Sequence, residues 1–340
     1  GRVRVEFSDP GASLGDPVSL AARPGRRFAR ADLLRDRREI LRRLGDAGFL
    51  RAQAADSLHV DPSRGEVDVV FRVQTGRALV LDTLRLRVVR EGDTTGLAGK
   101  TRPGRLLELF PLQAGDTLTL AALAGYERRL KSTRVFNFVR LRDSASADSG
   151  SAVLTLHAEE RVPGEAEAAA YWETQYGFGI DLNLTQSNLG GGLHEARSGV
   201  TLAQRRQTLL AGYTAPLLLG TEIRFDNELV ANWYQDNRLV RDTGWFDGDF
   251  DVSNQSKLSR QLAAWVRAVA GAELIGKSQR VDTADRLREF NLNFINSLYL
   301  QRLDSWVNPA RGARLAVTYG NGGALDGPFA LERERHNWLE

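Results

Sequence analysis

The chain contains no cysteine, so disulfide bridges and thiolate metal sites are excluded. It contains no methionine either, not even at position 1. A natural chain starts with Met or with a processed end, so Gly1 is expected to be a cut or a maturation point. No charged-then-apolar signal segment is present. If the protein is exported, its signal is expected to have lain upstream. Lysine is scarce, at Lys100, Lys131, Lys257 and Lys277 only, and Arg supplies the remaining bases. Compositional bias accounts for this more simply than phosphate binding does. Formal net charge is only +3, which gives no large attraction for nucleic acid. No run of about 18 apolar residues exists, so no transmembrane helix is expected. A membrane barrel stays open, because it needs only strands of about 10 residues with alternating apolar and polar side chains.

What is present suffices for two or three domains in 340 residues. The character of the chain changes near Pro163-Gly164. Before that point one unit occurs twice. In the first copy, Val18-Ser19-Leu20 reads as a short strand ending at Pro24-Gly25. Residues 28–44 carry Leu33, Leu34, Ile40, Leu41 and Leu44 at helical intervals, with a break into two helices expected near Asp36. Gly45-Asp46-Ala47-Gly48 stops the helix. Strands follow at 52–60 and 67–73, joined by the turn 61–65. In the second copy Leu79, Leu81, Leu84, Leu86 and Val88 supply a strand. A glycine-rich insertion with Pro103 follows. Gly115-Asp116 then leads into a helix over 118–131, apolar at Leu120, Leu123, Tyr126 and Leu130. A short turn holds Val135, Phe136 and Phe138, and the last strands are expected at 139–142 and 153–157, joined by the polar turn 144–151. The predicted order is strand, helix, helix, strand, strand.

Past Gly164 no convincing helix appears. Over 166–184 the even positions are Ala166, Ala168, Ala170, Trp172, Thr174, Tyr176, Phe178, Ile180, Leu182 and Leu184. The odd positions include Glu165, Glu167, Glu173, Gln175, Asp181 and Asn183. Tyr176-Gly177-Phe178-Gly179 interrupts this alternation with the glycines that a hairpin needs. Alternation recurs over 223–233, 290–300 and 313–319. Compact turns are expected at 188–192, at Ala215-Pro216 with 217–220, near 256–259, and at 304–312. Longer polar connections are expected at 235–242 and 277–285. A soluble sandwich also alternates. Strands of roughly 10 to 14 residues, charges deep within them, and Trp and Tyr near their ends favour a transmembrane barrel instead.

Several motifs carry a resemblance. The run RREILRRLGDAGF at 37–49, with Gly48 and Phe49, is similar to polypeptide-transport-associated (POTRA) domains. So are Gly115-Asp116, Leu130, Val135-Phe136, Val139 and Glu159-Glu160 in the second copy. SNLGGG at 187–192 resembles the glycine-rich turn after the second barrel strand of BamA/TamA-type outer-membrane assembly factors. YTAPLLLG at 213–220 resembles their strand-Pro turn, and DSWVNPARG at 304–312 their Asp-x-x-x-x-Pro-x-Arg-Gly turn. The resemblance covers nearly the whole chain. It implies α+β POTRA domains (β-α-α-β-β) at 1–76 and 77–162, followed by part of an antiparallel transmembrane β-barrel at 163–340, with about nine or ten strands. The family's late-loop Arg-Gly-aromatic motif is not found, and the chain is expected to stop in mid-barrel.

The same resemblance implies an outer-membrane location, with the N-terminal domains in the periplasm. Partners would be unfolded outer-membrane or secreted clients, membrane lipids, and periplasmic accessory proteins or lipoproteins. No cofactor, no metal and no nucleic acid is implied. Ala166, Ala168, Ala170, Trp172, Thr174 and Tyr176 would form the client-pairing edge strand. Glu165, Glu167, Glu173 and Gln175 would face the lumen. Asn188, Gly190, Gly192, Pro216, Asp304, Pro309, Arg311 and Gly312 would shape periplasmic turns. Gly48, Phe49, Gly115, Asp116 and Phe136 would be structural. A transporter dedicated to one secreted partner is the nearest rival. A lipase with its catalytic domain upstream and a soluble β-rich binding protein are others. Gly11-Ala12-Ser13-Leu14-Gly15 matches G-x-S-x-G but lacks the strand-turn-helix context, so it reads as a turn. The four histidines, His59, His157, His194 and His336, have no ligand spacing.

Overall fold

The computed structural model describes residues 2–9, 20–92, 99–144, 150–235, 249–280, 286–303, 312–326, 330–331 and 336–339. The described residues form three separate sheets.

The first is small: β1 (Val3–Phe7), β2 (Gln53–Asp61) and β3 (Glu66–Gln74), in the order β1-β3-β2, with β1 parallel to β3. One helix, α1 (Arg30–Asp46), covers it. Leu33, Ile40 and Leu44 lie on one stripe and pack with Val69, Phe71 and Val73. Two expectations are corrected here. The first strand is Val3–Phe7, while Leu20 lies in no strand and Val18-Ser19 lie outside the described residues. The helix also runs unbroken through Asp36. That carboxylate is buried on the apolar stripe because it accepts the backbone N–H groups of Ala21 and Ala22 at 2.7 and 2.8 Å. It ties down the preceding segment without interrupting the helix. The helix ends at Gly48, whose φ is +97°. Phe49 N–H donates to the Leu44 carbonyl and Gly48 N–H to Gly45, a glycine-terminated helix end.

The second sheet contains β4 (Val80–Arg90), β5 (Phe136–Asp143) and β6 (Ser151–Glu160), in the order β4-β6-β5. A register shift between Leu81 and Thr83 explains why the apolar positions change phase from Leu81 to Leu84. Two helices follow β4: α2 (Pro103–Glu108) and α3 (Leu120–Ser132). Pro103 therefore opens a helix where a glycine-rich insertion was expected; its fixed φ suits a first helical turn. Phe136 and Phe138 lie in β5 and not in a turn. The Tyr126 hydroxyl donates to the Leu106 carbonyl at 2.8 Å, holding α2 on α3. The two units abut. Leu79 N–H donates to the Gly48 carbonyl, Arg51 pairs with Asp143 at 2.9 Å, and Asp46 accepts the Ala121 N–H.

The third sheet is a meander in which successive strands pair antiparallel, the last short strand excepted. It comprises β7 (Gly164–Glu173), β8 (Gly177–Gln186), β9 (Glu195–Ala203), β10 (Arg206–Ala215), β11 (Ile223–Tyr234), β12 (Asp249–Ala263), β13 (Val266–Arg280), β14 (Arg286–Leu303) and β15 (Gly312–Asp326). The short β16 (Ala330–Leu331) and β17 (His336–Leu339) both pair with β15. Strand length grows from 10 residues in β7 to 18 in β14, beyond the usual span of globular strands. Register places Trp172, Phe178, Ile180, Leu182, Leu202, Leu209, Leu229, Leu258, Phe294, Leu298 and Val317 on one face. All of these are exposed, and among the described residues no second layer covers them. The opposite face is polar and internally bonded: Thr201 to Asp181, Thr208 to Asn232, and Thr214 and Arg224 to Asp226.

Residues 256–259 lie inside β12, where a compact turn was expected. Ser256 sits on the apolar face and Lys257 on the polar one, so a polar run there follows the alternation of a two-faced strand. The actual turn is Ala264-Trp265, which carries no turn signature. Residues 277–280 likewise extend β13 and do not begin a loop. The remainder of that connection, most of the one after β11, and the Gly11–Gly15 motif fall outside the described residues.

Candidate functional site

The site begins with a strand that has one neighbour. Among the described residues β7 pairs only with β8. Ser187 N–H donates to the Pro163 carbonyl. Antiparallel hydrogen-bonded pairs alternate along a ladder, so the odd residues of β7 bond to β8. The backbone N–H and C=O groups of Ala166, Ala168, Ala170 and Trp172 then point to the free edge. Their side chains lie on the exposed apolar face, and Trp172 is 72% exposed. Three consecutive alanines, Ala168 to Ala170, give this strand little side-chain contact with its neighbour. Glu165, Glu167 and Glu173 lie on the polar face. Glu173 approaches Arg206 at 3.9 Å.

The strand is shorter than expected. Thr174, Gln175 and Tyr176 form the turn, and Gly177 resumes the next strand at φ +79°. None of the three is an edge-strand or strand-face residue. The alternation continues through them because a three-residue loop preserves the parity. Tyr176 is held there by Arg206, whose guanidinium lies 4.2 Å from the ring centroid. Tyr171 lies across Gly179, where a Cβ would fall 2.5 Å from the phenol ring.

At the other end of the sheet, two turns are seated in the second α+β unit. After β8, Asn188 takes φ +55° and is buried. Its amide donates to Thr101 Oγ1 at 2.9 Å, and its carbonyl accepts Leu193 N–H at 3.0 Å. Gly190 and Gly191 both have positive φ, and a side chain at 191 would collide with the Lys100 carbonyl. Arg102 N–H donates to Gly191. Lys100 and Thr101 in turn donate their N–H groups to the buried Glu160 carboxylate, each at 2.6 Å. Leu193 enters the core formed by Leu106, Tyr126, Leu130 and Leu156. After β10, the buried Pro216 leads Leu217 into the same core, and Arg105 donates to the Leu217 carbonyl at 2.9 Å.

The predicted structural residues fall into two groups. Gly48 and Phe49 end α1, and a Cβ at Gly48 would lie 2.5 Å from Thr117 of the second unit. Gly115 takes φ +91° and donates to Leu81, while the Asp116 carboxylate accepts Gln113 N–H. Phe136 is buried in the second core. Gly192 closes the first turn, and Gly312 opens β15. Asp304, Pro309 and Arg311 lie outside the described residues. Leu193, Leu217 and Thr101 were not singled out from the sequence, and Glu160 was noted only as closing the last strand of the second copy. The available signal was leucine inside turns, at 189, 193 and 217–219, where solvated loops carry polar residues. Among the described residues no cluster of His, Asp and Glu could hold a metal.

His194 borders the seat, and its Nδ1 lies 2.6 Å from the Tyr213 hydroxyl. Burial, and then the neighbouring Arg105, lower its imidazole below the ordinary value. The folded protein therefore holds fewer protons on this ring than the unfolded chain. This effect is absent above the unfolded value of about 6.5 and destabilises as pH falls through it. Thermal midpoints followed from about pH 7.5 to 5 should fall more steeply in the wild type than in His194→Gln. Equal slopes would remove His194 from this account.

Two small α+β units leading into an antiparallel strand meander are a fold that this chain shares with solved BamA and CdiB structures. The chain is similar over 96% of its length to BamA from Haemophilus ducreyi lacking POTRA domains 1-3, with TM-score 0.64 and 14% identity. It is also similar over 95% of its length to CdiB from Acinetobacter baumannii, with TM-score 0.51 and 12% identity. At these identities the likeness is one of fold. The chain spans 64% of that BamA chain and 61% of that CdiB chain. No family model and no curated protein sequence matches it.

Proposed function

We propose that this chain is the periplasmic and early-barrel part of a non-enzymatic outer-membrane protein that inserts or translocates polypeptides. Residues 1–76 and 77–162 act as POTRA-like domains in the periplasm, and 163–340 as barrel wall. The observation that carries this reading is that, among the described residues, β7 has a free edge beside an uncovered apolar face. Hydrocarbon outside the wall satisfies that face, and a polar interior satisfies the other. An unfolded client strand adds to β7 by backbone hydrogen bonds, as edge strands accept extended peptides. Burial of the client's apolar side chains supplies the free energy, and no nucleotide or cofactor is needed. Among the described residues of the first unit β2 is another open edge, with Leu58 and Val60 exposed, and it receives a client or an accessory protein. A soluble sandwich would need a second layer on the apolar face.

Deleting the gene and measuring the outer-membrane proteome tests this reading. Several barrel proteins should fall together. Loss of a single secreted polypeptide would replace general insertion with dedicated export. An unchanged proteome and secretome would overturn both.

A further inference from the structure

We propose that the apolar face of β12 to β14 holds a glycerophospholipid of the membrane leaflet nearest the seated turns. This rests on the reading that the face meets a bilayer. Successive outward positions of β13 are Ala268, Ala270 and Ala272, and register places Leu258 on one side of them and Leu298 and Phe294 on the other. The small side chains leave a trough between larger walls. It consists of two hollows of about 530 and 500 Å³ that share Leu258, Ala270 and Asn296. Its floor runs four residues, about 13 Å along the strand, which matches a stretch of extended acyl chain.

Its polar groups are ordered as a phospholipid is. Arg260 lines the trough at the end near the turns, opposite Ile223 and Ala268. It projects from the apolar face between the exposed Leu258 and Leu262. Among the described residues it has no acidic partner. A guanidinium at this end of a lipid-facing surface reaches the headgroup level, where a phosphate fits its fork. One pair deeper, about 7 Å along the strands, Asn296 stands opposite Ala270. Its amide also has no partner among the described residues, and it lies at the depth of the ester carbonyls of a lipid whose phosphate sits on Arg260. Beyond Asn296 the trough is floored by Ala272 and walled by Phe294 on one side and the small Ser256 on the other. A charge, then a neutral donor, then an apolar channel is the sequence of groups in a glycerophospholipid.

The test uses the full-length protein in vesicles of phosphatidylethanolamine and phosphatidylglycerol. Insertion is scored first by protease protection, and retained lipid is then counted by native mass spectrometry after gentle extraction. The wild type should retain one phospholipid. Arg260→Gln and Ala270→Phe should each lower retention by about tenfold, while Leu182→Phe, elsewhere on the same face, leaves it unchanged. If the protein fails to insert, the bilayer reading falls and this proposal falls with it. If it inserts and retention is the same in all variants, only the lipid site is overturned. Cross-linking of two copies of Ala270→Cys, without lipid, would also overturn it.

Discussion

Proline at Ala168 should stall client insertion while the protein still folds, whereas proline at the adjacent Ala169 should damage the sheet itself. The two residues are chemically identical and differ in where their N–H groups point and in which face their methyl groups occupy. Ala169 stands opposite Asp181 in the bonded set of the β7–β8 ladder. Removing its donor opens that ladder and leaves an acceptor on β8 unpaired, at a cost of roughly 1–3 kcal/mol. Ala168 directs its N–H to the free edge, where proline is tolerated. Among the described residues that N–H has no partner to lose, but an incoming strand loses a bond at the centre of the template. An effect of about tenfold on client insertion corresponds to roughly 1.4 kcal/mol, one lost bond in a dry setting. The measurement is the rate of barrel-client insertion into vesicles by the full-length protein, alongside its own folded fraction. Normal insertion by Ala168→Pro would end the templating account. Equal folding defects in both variants would overturn the assignment of backbone direction.

The second large effect is expected at the seat. Leu217→Ala and Leu193→Ala should each destabilise the second unit by roughly 2–5 kcal/mol, because each truncates a leucine that helps fill that core. Leu219→Ala, two residues past Leu217 and 87% exposed, should change stability by less than about 0.5 kcal/mol. Hydrogen exchange is the discriminating measurement. Protection should fall in α2 and α3, although both substitutions lie in turns of the strand meander. If α2 and α3 keep their protection, the turns are ornaments on the unit and not part of its core.

The sequence made the faces legible. Leu33, Ile40 and Leu44 mark the buried side of α1 by spacing alone, and 178–184 and 223–233 mark the apolar face of the sheet by parity alone. It was less informative wherever a polar group is satisfied by tertiary contact. Asp36 looked like a helix break because nothing local shows that Ala21 and Ala22 would donate to it. Pro103 looked like a loop residue, though its ring suits a helix start equally well. The stretch 256–259 looked like a turn because this two-faced strand is polar on one side and, at Ser256, on the other as well. Parity also carried the edge strand three residues too far, through Thr174, Gln175 and Tyr176. The seat was least legible of all. Leu193 and Leu217 are separated in sequence from the core they complete, and only the folded chain brings Glu160, Thr101 and Asn188 into one line.

That line has a mechanical consequence. Glu160 ends the strand that leads into β7, and through Thr101 it is joined to the turn that follows β8. Both legs of the leading hairpin are thus bolted to one bracket at the same end. The hairpin cannot shift lengthwise by a residue without tearing the bracket, so it can part only by fraying from the Tyr176 tip downward. An incoming chain would then meet a ruler whose zero mark is fixed by the second unit.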